Sequence, residues 1–244
     1  MILLLDIGNS RTKWAVLADS GLGLSGERAH AGGAELLPAD IPVNPSQVYA
    51  ANVAGPQVTE SLASAVRSRW SCPLVLARTP AVLGPVRNAY TEPAQLGVDR
   101  WLALVAAYER HAGALCVVDA GTATTVDLIA ADGQHLGGFI VPGLDLMSDS
   151  LLTATGDLAR LRERAVADSR PAPACSTGLA IRDGARLATA GLVDRARGFL
   201  PRQAQLLLTG GRGESLAGLT GGEFLPRLVL EGLAVTWRAG AAEN

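Results

Sequence analysis

Lysine is almost missing from this chain of 244 residues, because Lys13 is the only one against twenty arginines. Charge of either sign is also scarce: charged side chains make up 18% of the residues, and the formal net charge is −2 at pH 7. The basic residues are scattered rather than clustered, which argues against nucleic acid as a partner. Hydrophobic residues make up 48% of the chain, so we expect a folded globule of one large or two medium domains and not a disordered protein.

Cysteine is rare as well. Cys72, Cys116 and Cys175 are odd in number and widely spaced, without a C-x-x-C pair or a Cys/His cluster. This pattern supports neither a disulfide framework nor a zinc site. We expect reduced, buried thiols.

Several common functional motifs are missing. The chain has no G-x-x-x-x-G-K-[ST] loop and no G-x-G-x-x-G opening a helix after a strand, which excludes the P-loop and Rossmann solutions to nucleotide binding. His30, His111 and His135 have no organised Ser or Cys partner, which removes the usual hydrolase triads. The apolar run before Asp6 is too short for a signal or membrane segment and has no basic leader, so we expect a cytoplasmic protein without a membrane partner.

Two segments of the chain share one plan. Residues 1–13 read M-I-L-L-L-D-I-G-N-S-R-T-K, and residues 115–127 read L-C-V-V-D-A-G-T-A-T-T-V-D. In each segment an apolar run ends in an aspartate, Asp6 or Asp119, and a glycine follows two residues later. Small polar residues come next, and a second strand-like run follows. We expect two strand–turn–strand hairpins, one in each half of the protein, that close on one polyphosphate.

The chemistry of such a hairpin suits phosphate. A carboxylate at the end of a buried strand can hold a hydrated metal ion that bridges phosphates. Gly8 and Gly121 let backbone N–H groups approach phosphate oxygens closely, because no Cβ stands in the way. An ordinary Asp-Gly type of hairpin turn contains the same residue types and is an equal alternative for either copy alone. The neutral donors of the two turns are Asn9, Ser10, Thr122, Thr124 and Thr125.

Lys13 follows the first turn. Its compact ammonium is a good point charge for phosphate oxygens, whereas the guanidinium of arginine prefers bidentate geometry. The alternative is a surface lysine at a strand end.

Apolar runs and helical spacing predict two α/β lobes with mixed sheets, over residues 1–111 and 112–244. The predicted strands lie near residues 2–5, 12–18, 48–51, 74–77, 115–119, 124–130, 136–140 and 205–208. The predicted helices cover about 57–70, 97–110, 143–158, 177–198 and 226–239, and residues 38–45 and 79–93 are predicted to be loops. Apolar helices such as 102–108 could pack across a two-fold axis or fill the core of one chain.

An ordered set of motifs resembles one family, the type III pantothenate kinases of the actin-like ATPase and sugar-kinase superfamily. The same family includes proteins once described as accessory factors for virulence-toxin expression. The motifs are D-I-G-N-S-R-T-K-W-A from Asp6, N-A-Y-T-E-P-A-Q-L-G-V-D-R-W from Asn88, V-D-A-G-T-A-T-T-V-D from Val118, G-G-F-I-V-P-G-L-D-L-M-S-D-S-L from Gly137, S-T-G-L-A-I-R-D-G from Ser176 and L-T-G-G from Leu208.

The resemblance implies a fold, a reaction and a set of ligands. The fold is α/β, with two actin-like (ribonuclease H-like) lobes of mixed sheets flanked by helices and a nucleotide cleft between them. The reaction is the ATP-dependent phosphorylation of the 4′-hydroxyl of pantothenate, the first committed step toward coenzyme A. The implied cofactors are ATP with Mg²⁺ and a monovalent cation, K⁺ or NH₄⁺. The implied assembly is a homodimer whose substrate pocket is partly built at the subunit interface.

The resemblance also implies roles for individual residues. Asp99 would be the general base, and Asp119 would bind the monovalent cation. Asp6 is in addition a candidate Mg²⁺ ligand. The implied ATP-binding residues are Asp6, Ile7, Gly8, Asn9, Ser10, Arg11, Thr12, Lys13 and Thr122. The implied pantothenate-binding residues are Tyr90, Gly97, Val98, Asp99, Arg100 and Thr177.

The base assignment agrees with elementary chemistry. A carboxylate beside an alcohol of high pKa can accept its proton as the bond to phosphorus forms. Asp99 begins a predicted helix next to Arg100, which keeps the carboxylate ionised, and Arg100 could pair with the carboxylate of pantothenate. Spacing alone favours another interpretation, a helix N-terminal aspartate beside a surface arginine. Tyr90 could likewise be a half-buried aromatic residue, and Thr177 could be a helix N-cap.

Two departures from the family pattern and two rival functions stay open. Ala159 occupies a position where proline is usual, and Arg212 occupies one where an acidic residue is common, which bears on nucleotide affinity. Gly210 and Gly211 could pass beneath the adenine or simply form a strand-to-helix turn. The rival functions are a regulatory protein that senses ATP or a metabolite and a hydrolase that transfers the phosphoryl group to water.

Overall fold

The computed structural model describes residues 1–29, 37–38, 41–154 and 171–242. The chain forms two compact units. The first contains residues 1–111 together with the C-terminal segment that starts at Arg227, and the second contains Ala112–Pro226. None of the helices in the described ranges has the length and apolar content needed to cross a lipid bilayer.

The first unit has a five-stranded sheet with the order β3-β2-β1-β4-β5. Its strands are β1 (Ile2–Ile7), β2 (Arg11–Ala18), β3 (Gly21–Ala29), β4 (Gln47–Asn52) and β5 (Leu74–Leu76). A small hairpin of β6 (Val82–Leu83) and β7 (Val86–Arg87) follows, then a 3₁₀ turn at Pro93–Gln95. β1 is a nearly continuous apolar run because both faces of the sheet are covered, as in the α/β class.

Three helices cover this sheet: α1 (Pro56–Trp70), α2 (Val98–His111) and α6 (Leu228–Ala242). Leu3, Leu5 and Ile7 share a buried cluster with Leu62 and Val66 of α1. On the other face, α6 is tied to β4 by two side-chain hydrogen bonds. The first runs from Tyr49 Oη to Thr236 Oγ1 (3.4 Å), and the second runs from Trp237 Nε1 to Gln47 Oε1 (2.8 Å).

Helix α2 is buried on all sides along residues 100–107. It packs so closely on α6 that a Cβ at Gly232 would overlap the backbone of Leu102. The interpretation that this apolar helix fills the core of one chain is therefore the right one, and residues 102–107 are not available to a second copy.

The second unit repeats the topology of the first. Its strands are β8 (Leu115–Ala120), β9 (Ala123–Ile129), β10 (His135–Pro142), β11 (Gln205–Thr209) and β12 (Glu223–Phe224), in the order β10-β9-β8-β11-β12. Its helices are α3 (Leu144–Ala154), α4 (Thr177–Arg197) and α5 (Gly213–Thr220). In both units the first strand is antiparallel to the second and parallel to the fourth. The structure therefore extends the repeated motif of the sequence to two whole sheets.

All the predicted strands are present, and so are the predicted helices, within a few residues at their ends. Five elements escaped prediction: β3, the two strands β6 and β7, which lie in the predicted loop 79–93, α5 and β12. β3 is largely exposed and rich in glycine, and the others have two to eight residues, too few for a clear apolar period. The predicted helix 143–158 is described as α3 only to Ala154, and Ala159 lies outside the described residues.

The boundary between the units differs from the predicted one at the C-terminus. Residues 227–244 were assigned to the second lobe by their position in the chain. The segment from Arg227 belongs instead to the first unit, because α6 packs on α2 and on the sheet of that unit.

The three cysteines are free thiols in different environments. Cys116 is fully buried in β8, and burial raises the pKa of its thiol to about 12. The prediction of a buried thiol is right for Cys116 and wrong for Cys175, which is exposed just before α4.

Candidate active site

The first repeated segment is the β1–β2 hairpin. Gly8 donates its N–H to the carbonyl of Arg11 (3.0 Å), and the turn residues Asn9 and Ser10 are exposed. Asp6 lies directly opposite Lys13 in the strand pairing. Directly opposite residues of an antiparallel pair project from the same face. The hairpin therefore presents a carboxylate and the only ammonium side chain side by side next to a glycine turn.

Two residues of this segment project from the other face. Ile7 is paired with Thr12, and both are buried, at 0% and 1% exposure. Among the residues that the structure describes, the Thr12 hydroxyl has no hydrogen-bond partner. Both side chains belong to the core beside α1, so any contact of these two residues with a ligand is made through the backbone.

Thr12 and Lys13 provide a matched pair of neighbours on opposite faces. We expect Thr12→Val to leave the KM for ATP unchanged and not to lower stability, since it removes a buried hydroxyl that has no partner. From the predicted role of Lys13 in phosphate binding, we expect Lys13→Met to raise the KM for ATP by about tenfold or more, because the variant would lose a charge-assisted hydrogen bond. Steady-state kinetics at saturating pantothenate and urea unfolding measure both effects. A Thr12→Val enzyme as impaired as Lys13→Met would contradict this division of roles.

Arg11 is engaged elsewhere on the surface. Its Nη1 lies 2.8 Å from Glu27 Oε1 on β3, and both side chains are about half exposed, at 52%. Such an exposed pair contributes little to stability and leaves the guanidinium accessible.

The second repeated segment is the β8–β9 hairpin, built on the same plan. Asp119 lies opposite Thr125, and Ala120 lies opposite Thr124. Thr124 is buried, and its hydroxyl, like that of Thr12 in the first hairpin, has no hydrogen-bond partner within the described part of the chain. The turn is one residue shorter, since Gly121 donates its N–H to the carbonyl of Ala123 (3.0 Å). Thr122, the predicted nucleotide contact, is exposed at its tip.

Two glycine segments pack against the turn of this second hairpin, residues 119–123, which we call the second corner. Gly143 donates its N–H to the Thr122 carbonyl (2.9 Å), and a Cβ there would overlap the backbone of Gly121. Gly210 has a φ of 86°, and a Cβ on it would overlap the carboxylate of Asp119. Gly210 and Gly211 form the turn from β11 to α5, so the strand-to-helix interpretation is confirmed for their structure. The contacts require glycine at 143 and 210.

Arg212, the residue that departs from the family pattern, is held by hydrogen bonds of both its backbone and its side chain. Its N–H donates to the Ala120 carbonyl (2.9 Å). Its side chain makes a bidentate ion pair with Asp145, with Nε 3.1 Å from Oδ2 and Nη2 2.7 Å from Oδ1. The pair connects the start of α3, which follows Gly143, to the start of α5, which follows Gly210.

Breaking this pair tests its contribution to the second corner. We expect Arg212→Ala and Asp145→Ala each to raise the KM for ATP by up to about fivefold, the limit for an exposed pair, with the KM for pantothenate unchanged. The exchange variant Arg212→Asp with Asp145→Arg should recover part of the loss, because it restores the charge pairing. An exchange variant whose KM for ATP rises by at least the product of the two single effects would contradict a role for the pair.

Asp119 is the residue of this corner suited to a cation. In the described ranges no three or more His, Cys, Asp and Glu side chains are grouped so that they could hold a metal ion. The corner instead offers one carboxylate and the backbone carbonyls of a tight turn. Hard cations prefer oxygen ligands, and a site with a single carboxylate suits an ion that takes its other ligands from phosphate and water. Asp119 and Asp6 both fit this description.

The first turn of α2 brings together three of the predicted substrate residues. Asp99 is half-buried, and its Oδ1 accepts a hydrogen bond from the backbone N–H of Arg100 (2.8 Å). Arg100 is 7% exposed, and its Nη1 donates to Tyr90 Oη (3.2 Å). The guanidinium carbon also lies 5.9 Å from the centre of the Tyr90 ring. Arg100 is therefore not the surface arginine of the alternative interpretation.

Gly97 lies beneath the carboxylate of Asp99. A Cβ at this position would stand 2.7 Å from Asp99 Oδ1. Thr79 Oγ1 donates to the carbonyl of Leu96 (3.1 Å), which holds the chain just before the helix. Val98 is the first residue of α2 and is half-buried. The segment 97–100 is thus closely held by local contacts.

Asn88 is the first residue of the motif that contains Tyr90 and Asp99, and the sequence alone indicates no role for it. Its Oδ1 accepts from the N–H of Tyr90 (2.9 Å), and its Nδ2 donates to the carbonyls of Pro93 (3.3 Å) and Pro80 (3.5 Å). Its own N–H donates to the carbonyl of Ala81 (2.8 Å). The signal available in the sequence is an amide two residues before Tyr90 in a proline-rich loop.

Thr177 is in the second unit, as the first residue of α4, and it is exposed. It is not the N-cap: Ser176 is, and its Oγ accepts from the N–H of Leu179 (3.4 Å).

Further along helix α4, Asp183 has a lowered pKa. The main cause is a hydrogen bond from Arg182 (2.9 Å), and burial acts in the opposite direction. Asp183 therefore stays ionised between Arg182 and Arg186, whose Nη1 is 3.5 Å away.

Comparison with solved structures establishes the fold. A crystal structure from Campylobacter jejuni, provisionally described as a Baf family transcriptional activator, matches with a TM-score of 0.65 at 24% identity, over 98% of this chain and 99% of that one. A crystal structure from Sinorhizobium meliloti, provisionally described as a 2-dehydro-3-deoxygalactonokinase, matches with a TM-score of 0.58 at 14% identity, over 98% and 99%. The predicted α/β fold, with mixed sheets flanked by helices, is thereby confirmed.

Comparison of sequences establishes the family. The profile of the type III pantothenate kinases matches residues 2–197. A type III pantothenate kinase of Aromatoleum aromaticum is 42% identical over 250 residues, which span 99% of this chain and 100% of the relative. Because both similarities extend through the two hairpins and the first turn of α2, this chain belongs to the type III pantothenate kinase family.

Proposed function

We propose that this protein transfers the γ-phosphoryl group of ATP to the 4′-hydroxyl of pantothenate, the first step of coenzyme A synthesis. Family membership supports the reaction. The observation that carries the assignment to this chain is the hydrogen-bonded group of Asp99, Arg100 and Tyr90 in the first unit. It combines a carboxylate that can accept a proton with a buried cation that can hold an anionic substrate.

For the nucleotide, we propose that the β1–β2 hairpin binds phosphate. The exposed turn Asn9-Ser10 offers neutral donors, Gly8 gives close access to the backbone, and Lys13 supplies a point charge. Asp6 beside Lys13 is the proposed ligand of Mg²⁺, which would neutralise phosphate charge when bound. In the second unit, Thr122 is the proposed nucleotide contact.

For the monovalent cation, K⁺ or NH₄⁺, the proposed ligand is Asp119. Gly210 and Gly143 support this role because their close packing holds the corner of the hairpin in one conformation. A bound cation would add positive charge near the phosphates. The packing of the two glycines would keep the Asp119 carboxylate in position to bind it.

For pantothenate, Asp99 is the proposed base. Its Oδ1 accepts the N–H of Arg100, and a Cβ at position 97 would stand 2.7 Å from the same oxygen, so there is room for this oxygen only because residue 97 is glycine. We propose that this carboxylate accepts the proton of the substrate hydroxyl. Proton acceptance of this kind contributes about 10²- to 10⁴-fold to the rate. Arg100 is proposed to bind the carboxylate of pantothenate. The other proposed contacts are Tyr90, Gly97, Val98 and Thr177.

We also propose that the protein acts as a homodimer, as the family implies. Apolar side chains are exposed on the edge strand β10 and after α4: Phe139 at 39%, Ile140 at 60% and Phe199 at 64%. The rings of Phe139 and Phe199 lie 6.1 Å apart. An apolar group of this kind on an edge strand favours burial against another chain. A molecular mass of one chain in solution would contradict this part of the proposal.

A coupled assay of ADP release, with and without pantothenate, tests the reaction. The kinase should release ADP only when pantothenate is present. Steady ATP hydrolysis without pantothenate would identify the hydrolase alternative instead. No ADP release in either condition, together with retained nucleotide binding, would identify the regulatory alternative.

A further inference from the structure

The loop from Thr79 to Leu96 carries Tyr90 and has little regular structure. It contains the two-stranded β6–β7 hairpin and one 3₁₀ turn, and it includes Pro80, Pro85 and Pro93. Backbone polar groups in such a loop need partners other than a sheet or a helix. Asn88 supplies several of them from a single side chain.

The four hydrogen bonds of Asn88 connect three parts of the loop. One part is the chain before the β6–β7 hairpin, reached through the carbonyls of Pro80 and Ala81. The second is the N–H of Tyr90, and the third is the carbonyl of Pro93. The side-chain amide of Asn88 therefore connects Pro80 and Pro93, near the two ends of the loop, to the backbone of Tyr90.

The connection continues to the proposed base. The Tyr90 hydroxyl accepts from Arg100 Nη1 at 3.2 Å, and the Arg100 N–H donates to Asp99 Oδ1 at 2.8 Å. A displacement of the Tyr90 backbone would thus move the hydroxyl that holds a buried guanidinium. Small displacements of this kind are costly in an active site, because reacting groups need correct alignment.

We infer that Asn88 is a positioning residue for pantothenate, which acts through Tyr90 and Arg100 without contacting the substrate itself. This inference rests on the proposed function, since it assigns pantothenate to the site of Tyr90 and Arg100. It adds a residue to which neither the motif comparison nor chemical reactivity assigns a role.

Asn88→Ala removes all the side-chain bonds at once. We expect the KM for pantothenate to rise by about tenfold while the KM for ATP stays within twofold, because the loop orients the acceptor substrate. Asn88→Asp keeps the acceptor for the Tyr90 N–H but loses the Nδ2 donors, so its KM should lie between those of wild type and Asn88→Ala. This second variant also provides a measurement if the alanine variant folds poorly.

Asn52 offers a matched control in the same unit. Its Oδ1 also accepts from the N–H two residues on, that of Ala54 (2.9 Å), and its Nδ2 donates to the Gly55 carbonyl (3.0 Å) and Thr59 Oγ1 (2.8 Å). Asn52→Ala should therefore lower stability about as much as Asn88→Ala but leave the KM for pantothenate unchanged. Equal KM values for pantothenate in the two alanine variants would overturn the inference.

A double-mutant cycle separates positioning from general loosening. Tyr90→Phe removes the hydroxyl that links the loop to Arg100. If Asn88 acts through Tyr90, the combination Asn88→Ala with Tyr90→Phe should raise the KM by less than the product of the single effects. Fully multiplicative effects would overturn the inference. Failure of the proposed function itself would be seen separately, as wild-type protein that releases no ADP with pantothenate.

Discussion

Replacing Asp99 with asparagine is expected to lower kcat by about 10²- to 10⁴-fold, the usual contribution of a general base. The two side chains have nearly the same shape, and asparagine keeps an oxygen that can accept the N–H of Arg100, the bond that Asp99 makes at 2.8 Å. The start of α2 should therefore be preserved. What changes is the ability of the side chain to take a proton from the substrate hydroxyl.

Binding measurements identify which property has been lost. The affinity for an ATP analogue should stay nearly unchanged in Asp99→Asn, because the proposed phosphate contacts lie on the hairpins. Stability should fall by at most about 2 kcal/mol, the upper range for a partly buried acid in the first turn of a helix.

Glu231 is a suitable control, because it is an acidic residue in the first turn of another helix of the same unit. Glu231→Gln loses a favourable charge at a helix N-terminus and its pairing with Arg110 (3.6 Å). It should leave kcat within about twofold of wild type, as expected of a surface charge. Near-normal turnover in Asp99→Asn would remove Asp99 from the role of base, and equal losses in both variants would point to the helix rather than to proton transfer.

Replacing Asp127 with alanine is expected to lower the free energy of unfolding by about 3 kcal/mol. Asp127 on β9 and His135 on β10 form a buried pair in the second unit, with Asp127 Oδ1 3.0 Å from His135 Nε2. The side chains are 3% and 0% exposed, so water cannot replace a lost partner. Removing the carboxylate leaves this ring nitrogen without its observed bond in a dry environment.

Two further variants make this prediction specific. Asp127→Asn keeps a side chain of the same size that can still hydrogen bond to the ring, so it should lose less stability than alanine. Asp194 on α4 is exposed, and Asp194→Ala should change stability by no more than about 0.5 kcal/mol, the usual range for a surface substitution. Urea unfolding measures all three. An Asp127→Ala protein as stable as Asp194→Ala would show that the buried pair contributes no net stability.

Local sequence patterns were sufficient to predict the two hairpins. Each has an apolar run, an aspartate, a glycine two residues later and a second strand, and each folds as a strand–turn–strand unit. Both could be predicted because a hairpin depends on contacts between residues that are close together in the sequence. The start of α2 was predicted to within one residue, at about 97 against the observed Val98, for the same reason, since apolar spacing and an acid in the first turn are local signals.

Other features depend on contacts that local patterns do not contain. Thr12 and Lys13 are adjacent in a predicted phosphate-binding segment, yet one is 1% exposed in the core and the other lies beside Asp6. The side-chain alternation of a strand separates neighbours, but which face becomes buried depends on the helix that covers it. Thr177 was likewise misread as a possible cap, because the choice between it and Ser176 depends on where the helix begins.

The amino-acid sequence by itself determined the kind of fold, the paired aspartate–glycine hairpins and the family to which this chain belongs. Tertiary structure alone decided that α6 joins the first unit, that Arg212 pairs with Asp145, and that Asn88 braces the loop of Tyr90. The physical reason is distance along the chain. Arg212 and Asp145 are 67 positions apart, and Trp237 reaches Gln47 across 190, so no local period predicts which partner each side chain finds.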